Sequence, residues 1–167
     1  MERVLVIGCP GSGKSTFSRK LQTMTGLPLY HLDLLYWNED RTVVPREAFL
    51  DRLEAVLSKP RWIVDGNYAS TMERRLEAAD AVFFLDYDTQ LCLESVLMRR
   101  GKERPDMPWM EQEGEEPDRE FLEMIQGFSQ KGRKQILDLM DRYPEKCWIV
   151  FRNREEAETY LDQQNAK

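Results

Sequence analysis

Long apolar runs are missing from this sequence of 167 residues. The longest, Ala81 to Leu85 and Cys147 to Phe151, fall far short of the ~20 residues that a membrane span needs. Val4 to Ile7 is also too short for the apolar part of a signal peptide and runs into glycine-rich sequence. Neither membrane insertion nor export is expected, and a cytoplasmic location is. Histidine occurs once, at His31, and the three cysteines, Cys9, Cys92 and Cys147, are widely spaced with no Cys-x-x-Cys pair. That argues against a zinc site and a disulfide framework, leaving three reduced thiols. Positive charge is in deficit, since 24 basic against 30 acidic residues give a formal charge of −6 and a pI near 5.0. Such a field repels polyanions, so long nucleic acid is not expected as a direct partner.

Apolar residues make up 41% of the chain, enough for one sizeable core, and no repeat, linker or low-complexity tract divides it. A single domain over 1–167 is expected. Short runs rich in β-branched and aromatic residues recur at Arg3 to Ile7, Pro28 to Leu32, Arg61 to Val64, Ala81 to Leu85 and Cys147 to Phe151, and each reads as a buried strand. Helical spacing fills the intervals at Lys14 to Met24, Arg46 to Leu57, Ser70 to Ala78 and Thr89 to Arg100, and returns at Arg154 to Gln164. Strands alternating with helices predict an α/β fold, a parallel sheet covered on both faces. Gly101 to Pro117, with three prolines and two glycines, breaks the rhythm and reads as a loop or lid. From Asp118 to Tyr143 helical spacing is interrupted by Gly127 and Gly132; one bent helix and two helices meeting near Gln130 are both compatible with it.

Gly8-Cys9-Pro10-Gly11-Ser12-Gly13-Lys14-Ser15 matches Gly-x-x-x-x-Gly-Lys-[Ser/Thr] between a predicted strand and a predicted helix, the context of a phosphate-binding P-loop. Gly11 and Gly13 allow the backbone to wrap its N–H groups around phosphate oxygens. The following helix aims its N-terminal amides at the β-phosphate, Lys14 places a charge on the β/γ oxygens, and Ser15 offers a hydroxyl to Mg²⁺. Gly8, Pro10, Ser12 and Thr16 complete the nucleotide-binding set. ATP or GTP with Mg²⁺ is the expected ligand.

Ligands of open α/β sheets sit beyond the carboxyl ends of the strands, where Asp33, Asp65 and Asp86 follow apolar runs. Asp33 is placed to orient, or take a proton from, an acceptor hydroxyl, or else to cap a helix. Asp65 suits a carboxylate holding metal-bound water, or a plain turn, and Asp86 competes for the same metal role. Tyr36 and Trp37 line an acceptor pocket or pack in the core. His31 reads as structural. Phosphoryl transfer needs cations near a mobile segment; Arg99, Arg100 and Arg133 are the best candidates, while Lys102 and Arg104 suit a solvated helix end.

Gly8 to Thr16, the Leu32-Asp33-Leu34-Leu35-Tyr36-Trp37 block, Trp62 to Tyr68, Ala79 to Asp86 and Arg104-Pro105-Asp106-Met107 together resemble the bacterial topology-modulation proteins, adenylate-kinase-related P-loop proteins. The resemblance runs over nearly the whole chain. It implies a nucleoside-monophosphate-kinase type of fold with a five-stranded parallel sheet in the order 2-3-1-4-5, an acceptor-binding region at 33–60 and a lid at 101–133. It tips the metal role toward Asp65, makes Arg99 and Arg100 lid-base arginines, and puts Arg152 and Asn153 in an adenine-packing loop. Where adenylate kinases have Asp-Gly-Phe-Pro-Arg this chain reads Asp65-Gly66-Asn67-Tyr68-Ala69, without the arginine that would grip an AMP phosphate. A nucleoside monophosphate acceptor is therefore not expected. Asn67 and Arg75 are acceptor-binding candidates, although Arg75 sits on a helix whose exposed face would carry arginines regardless.

These readings predict a kinase that moves the γ-phosphoryl group of ATP to a small molecule, as a monomer or weak homo-oligomer. The alternative is a nucleotide-dependent regulatory protein acting indirectly on DNA topology or gene expression.

Overall fold

A computed structural model describes residues 1–99, 105–109 and 118–166. Five strands, β1 (Arg3–Gly8), β2 (Leu29–His31), β3 (Trp62–Asp65), β4 (Ala81–Leu85) and β5 (Cys147–Phe151), form one sheet. Every neighbouring pair is parallel, and the order is β2-β3-β1-β4-β5. Flanking helices are α1 (Lys14–Thr25), α2 (Leu32–Tyr36), α3 (Arg46–Leu57), α4 (Ala69–Ala78), α5 (Thr89–Met98), α6 (Arg119–Gln126), α7 (Gly132–Arg142) and α8 (Arg154–Asn165). The α/β architecture and the strand order are those expected.

The central strands are apolar because helices cover both their faces. Val4, Leu5, Val6 and Ile7 of β1 and Trp62, Ile63 and Val64 of β3 are almost wholly buried. An aromatic cluster ties α1, β4, β5 and α8 together: Phe17 lies 5.1 Å from Phe83 and 5.6 Å from Phe151, and Tyr160 lies 5.4 Å from Phe83. Register then fixes what meets at the carboxyl edge. Asp65 pairs with Val6 of β1 on one side and His31 of β2 on the other, and Gly8 pairs with Leu85.

One boundary differs from expectation, and one open alternative is decided. Leu32 does not extend β2 but opens the short helix α2, whose five residues are too few for a helical period to register in sequence. The segment from Asp118 to Tyr143 is two helices, with Gly127 capping α6 and Gly132 opening α7. A side chain at Gly132 would place its Cβ 2.5 Å from the Phe128 ring, so that glycine lets the turn fold back on itself. Of the expected lid, 101–104 and 110–117 lie outside the described residues, as does Arg100. No helix among the described residues is long and apolar enough to cross a membrane, and the three cysteines are unbridged.

Candidate active site

The loop between β1 and α1 is shaped by close approach. Gly11 adopts φ +85°, and a Cβ there would stand 2.2 Å from the Cys92 carbonyl oxygen. Gly13 caps α1 in the left-handed region, and no side chain satisfies that helix N-terminus. Its first amides therefore stay open, the arrangement that receives phosphate oxygens. Lys14 curls over the loop, its Nζ donating to the carbonyls of Gly8 at 3.0 Å and Cys9 at 3.1 Å. Burial pushes its pKa below the ordinary lysine value, opposed by the nearby charges of Asp65 and Asp33.

A cavity of about 950 Å³ opens beside this loop, near the upper end of the ~300–1,000 Å³ usual for small-molecule sites. Pro10, Gly11, Gly13, Lys14, Ser15 and Thr16 contribute one part of its wall, and Asp33, Tyr36, Trp37, Asp65 and Asn67 another. Arg99 lines it too. Residues selected at separate places in the sequence thus share one cavity.

Asp65 is 5% exposed and its Oδ2 meets His31 Nδ1 at 2.7 Å. Asp33, at the second position of α2, accepts a hydrogen bond from the Tyr68 hydroxyl. Burial and the neighbouring Asp33 carboxylate raise the Tyr68 pKa far above that of an ordinary tyrosine, so the phenol stays protonated and donates. Tyr68 itself adopts φ +37°, a left-handed conformation costing a non-glycine residue roughly 1–3 kcal/mol. It is held there by packing on Tyr36 and Phe49, at 4.8 and 5.6 Å between ring centroids.

Other expected site residues take supporting positions. Asn67 points its amide at the P-loop: Gly8 N–H donates to Asn67 Oδ1 at 3.0 Å and Asn67 Nδ2 donates to the Gly8 carbonyl at 2.5 Å. That side chain aligns the loop, although the residue lines the cavity. Arg75 corrects the exposed-face reading, being wholly buried. It lies behind the cavity, donating to the carbonyls of Gly66, Asn67 and Tyr68. Burial lowers its pKa to about 9, still above neutral pH, so the guanidinium remains charged.

Arg133 is absent from the cavity wall as well. Its Nε and Nη2 grip Asp86 at 2.8 and 3.1 Å, and Arg152 Nη1 reaches the same carboxylate at 2.6 Å. Asp86 is thereby occupied by two guanidiniums, and it does not line the cavity. Asn153 caps α8, its side chain accepting from Glu156 N–H; neither it nor Arg152 lines the cavity. The adenine-packing role that the resemblance implies for them finds these two side chains bonded to Asp86 and to the α8 amide.

Sequence reasoning missed Arg19, which lines the cavity and donates to Ser15 Oγ at 2.6 Å. The four-residue spacing on α1 that stacks it over Ser15 was the available signal. Trp109 was also missed, since its contact with Trp37, 6.0 Å between centroids, joins segments distant in sequence.

No family model matches this chain, and no curated protein does. Solved structures do. Shikimate kinase from Bacteroides thetaiotaomicron superposes with a TM-score of 0.63 at 16% identity, over 99% of this chain and 97% of its own. A gluconokinase from Sinorhizobium meliloti 1021 gives 0.57 at 18% identity, over 99% and 90%. An unliganded sugar kinase from Janibacter sp. HTCC2649 gives 0.54 at 17%, over 99% and 93%. The fold is that of the P-loop kinases. Each match covers 99% of this chain, so the shared fold extends well beyond the P-loop.

Proposed function

We propose that this chain is a P-loop phosphotransferase that moves the γ-phosphoryl group of ATP to a hydroxyl of a small molecule. The observation that carries the reading is one cavity lined by the P-loop, Lys14, Asp65 and Asp33. Names of the structural neighbours, a shikimate kinase, a gluconokinase and a sugar kinase, support small-molecule phosphorylation. The block resemblance to the topology-modulation proteins supports membership of that family as part of the same proposal.

Open amides at the start of α1 and the Lys14 ammonium hold the β- and γ-phosphates, and Arg99 adds charge from the end of α5. The Ser15 hydroxyl and the Asp65 carboxylate are hard oxygen donors that line the same cavity, a set that fits Mg²⁺, which takes one or two protein oxygens alongside phosphates and water. Mg²⁺ would screen the phosphate charge as it moves toward the leaving group. His31 keeps the Asp65 carboxylate oriented. Asp33 takes the proton of the acceptor hydroxyl as its oxygen bonds to the γ-phosphorus. The bond to the bridging β–γ oxygen breaks, and ADP leaves with the electron pair.

ATP turnover with Mg²⁺, measured across a panel of hydroxyl compounds, tests the reading. A compound that stimulates turnover and emerges phosphorylated is the expected result. ATP binding with no stimulated turnover would instead favour the regulatory alternative. Asp33→Asn is expected to lower kcat by ~10²–10⁴-fold with a much smaller change in the ATP dissociation constant, because the P-loop amides and the Lys14 ammonium stay in place and only the nearby Asp33 charge is lost. Equal loss of both would remove Asp33 from the base role.

A further inference from the structure

Arg19 stands one turn after Ser15 on α1 and lines the cavity with it. Long side chains on a helix lean back toward its N-terminus, which brings the guanidinium over the first turn of α1, where no side chain caps the amides. Its Nη1 donates to Ser15 Oγ at 2.6 Å and its Nη2 to Thr16 Oγ1 at 3.4 Å. Lys14 is turned the other way, its Nζ on the carbonyls of Gly8 and Cys9. Two cations are thus attached to the two ends of the P-loop, one at Gly8 and Cys9 and one at Ser15 and Thr16.

The partners of Arg19 are weak ones for a guanidinium. It carries five N–H donors, and the bonds it makes go to two uncharged hydroxyls, one of them long. Among the described residues no carboxylate pairs with it, whereas Arg61 finds Glu2, Arg74 finds Glu54 and Arg142 finds Glu73. A solvated arginine leaning along its own helix would account for the bond to Ser15. It would not account for a guanidinium that faces the cavity and rests on the two hydroxyls that follow Lys14. Hydrogen bonds to an ionised acceptor are stronger than those between neutral groups, and the planar fork of arginine matches phosphate oxygens two at a time. An anion seated at the open amides of α1 is therefore a better partner for Arg19 than either hydroxyl. The Ser15 oxygen has two lone pairs, so its bond from Arg19 leaves one for a metal ion.

We infer that Arg19 is a second phosphate-contacting residue of this site, its guanidinium engaging the phosphate oxygens of the nucleotide from the Ser15 and Thr16 end while Lys14 engages them from the other. This rests on the nucleotide-binding half of the phosphotransferase reading, and it adds a residue that lies outside the P-loop motif.

Binding rather than turnover is the test, so that the two claims fail separately. Two ligands are titrated calorimetrically into the full chain with Mg²⁺ at saturation: ATP, and tripolyphosphate, which has the phosphates but neither base nor ribose. Arg19→Gln removes the charge and keeps a good helix former in place. It is expected to weaken both ligands at least about tenfold, the scale of a hydrogen bond to a charged group, with the thermal unfolding midpoint of the unliganded chain unchanged. Arg19→Lys returns the charge without the fork and should recover only part of the loss. Binding of both ligands by Arg19→Gln within about twofold of wild type, well below the worth of one charged bond, overturns the inference. A loss confined to ATP also overturns it, by placing Arg19 on the base or ribose. So does a loss matched by a lower unfolding midpoint, with Arg19→Lys restoring both in full, since Arg19 would then be a support of α1. Wild-type protein that binds neither ligand removes the nucleotide-binding reading and this inference with it. Tight binding without phosphate transfer to any acceptor strikes only at the phosphotransferase reading.

Discussion

Lys14→Ala is expected to reduce phosphoryl transfer by about 10²–10³-fold or more, the scale on which preorganised charges at a transition state are lost. It should weaken ATP binding as well, because the same ammonium meets the β/γ oxygens in the ground state. Stability should move by no more than about 1 kcal/mol. The substitution forfeits two hydrogen bonds, to Gly8 and Cys9, but also relieves the desolvation that pushes the lysine pKa down. The pH dependence carries a sign. The active form is the charged one, and burial sets its pKa below the ordinary 10.5. ATP affinity of the unliganded wild type should therefore fall as pH rises through that lowered value, while Lys14→Arg keeps its charge and loses the alkaline limb. Calorimetric ATP titrations across alkaline pH, with thermal unfolding as control, would decide it. A variant that binds and turns over ATP normally would remove the P-loop from the chemistry.

How much of this was legible in the sequence depended on distance along the chain. The P-loop is local: eight consecutive residues, a preceding strand and a following helix carry the whole signal, and the structure places them in that order. Strand order is not local, and it came from resemblance to known blocks rather than from periodicity. Helix α2 went unread because five residues hold little more than one turn. Asp33 and Asp65 stood out because carboxyl strand ends are where an α/β sheet binds ligands. The preference for Asp65 over Asp86 came from the resemblance, and the partners of Asp86 could not be read from the sequence. Arg133 and Arg152, 47 and 66 residues away in sequence, both engage Asp86, and no spacing rule announces such a convergence. Arg75 was hardest. A helix with arginines looks solvent-facing, and only the fold turns that residue inward.

Arg75→Ala should produce the largest loss of stability, roughly 3–5 kcal/mol. That is a substantial part of the ~5–15 kcal/mol that holds a domain together. Its guanidinium spans the carbonyls of Gly66, Asn67 and Tyr68 and the Thr71 hydroxyl. Removing it leaves the Gly66 and Asn67 carbonyls short of a donor at about 1–3 kcal/mol for each that is left unsatisfied, together with a cavity, while the Tyr68 carbonyl keeps its bonds from the Thr71 N–H and hydroxyl. The Asp65 carboxylate also loses a nearby positive charge. Arg75→Met fills the volume and removes the cost of burying a charge, so it should recover part of the stability. It should recover little activity, because the 66–68 turn sets two things at once. Asn67 holds Gly8 of the P-loop, and Tyr68 holds Asp33. Urea unfolding separates the two effects from the midpoint at unchanged slope, and turnover is measured below the transition. If Arg75→Met restored stability and activity in parallel, the turn would need only filling behind it, and the guanidinium would have no role in setting the site.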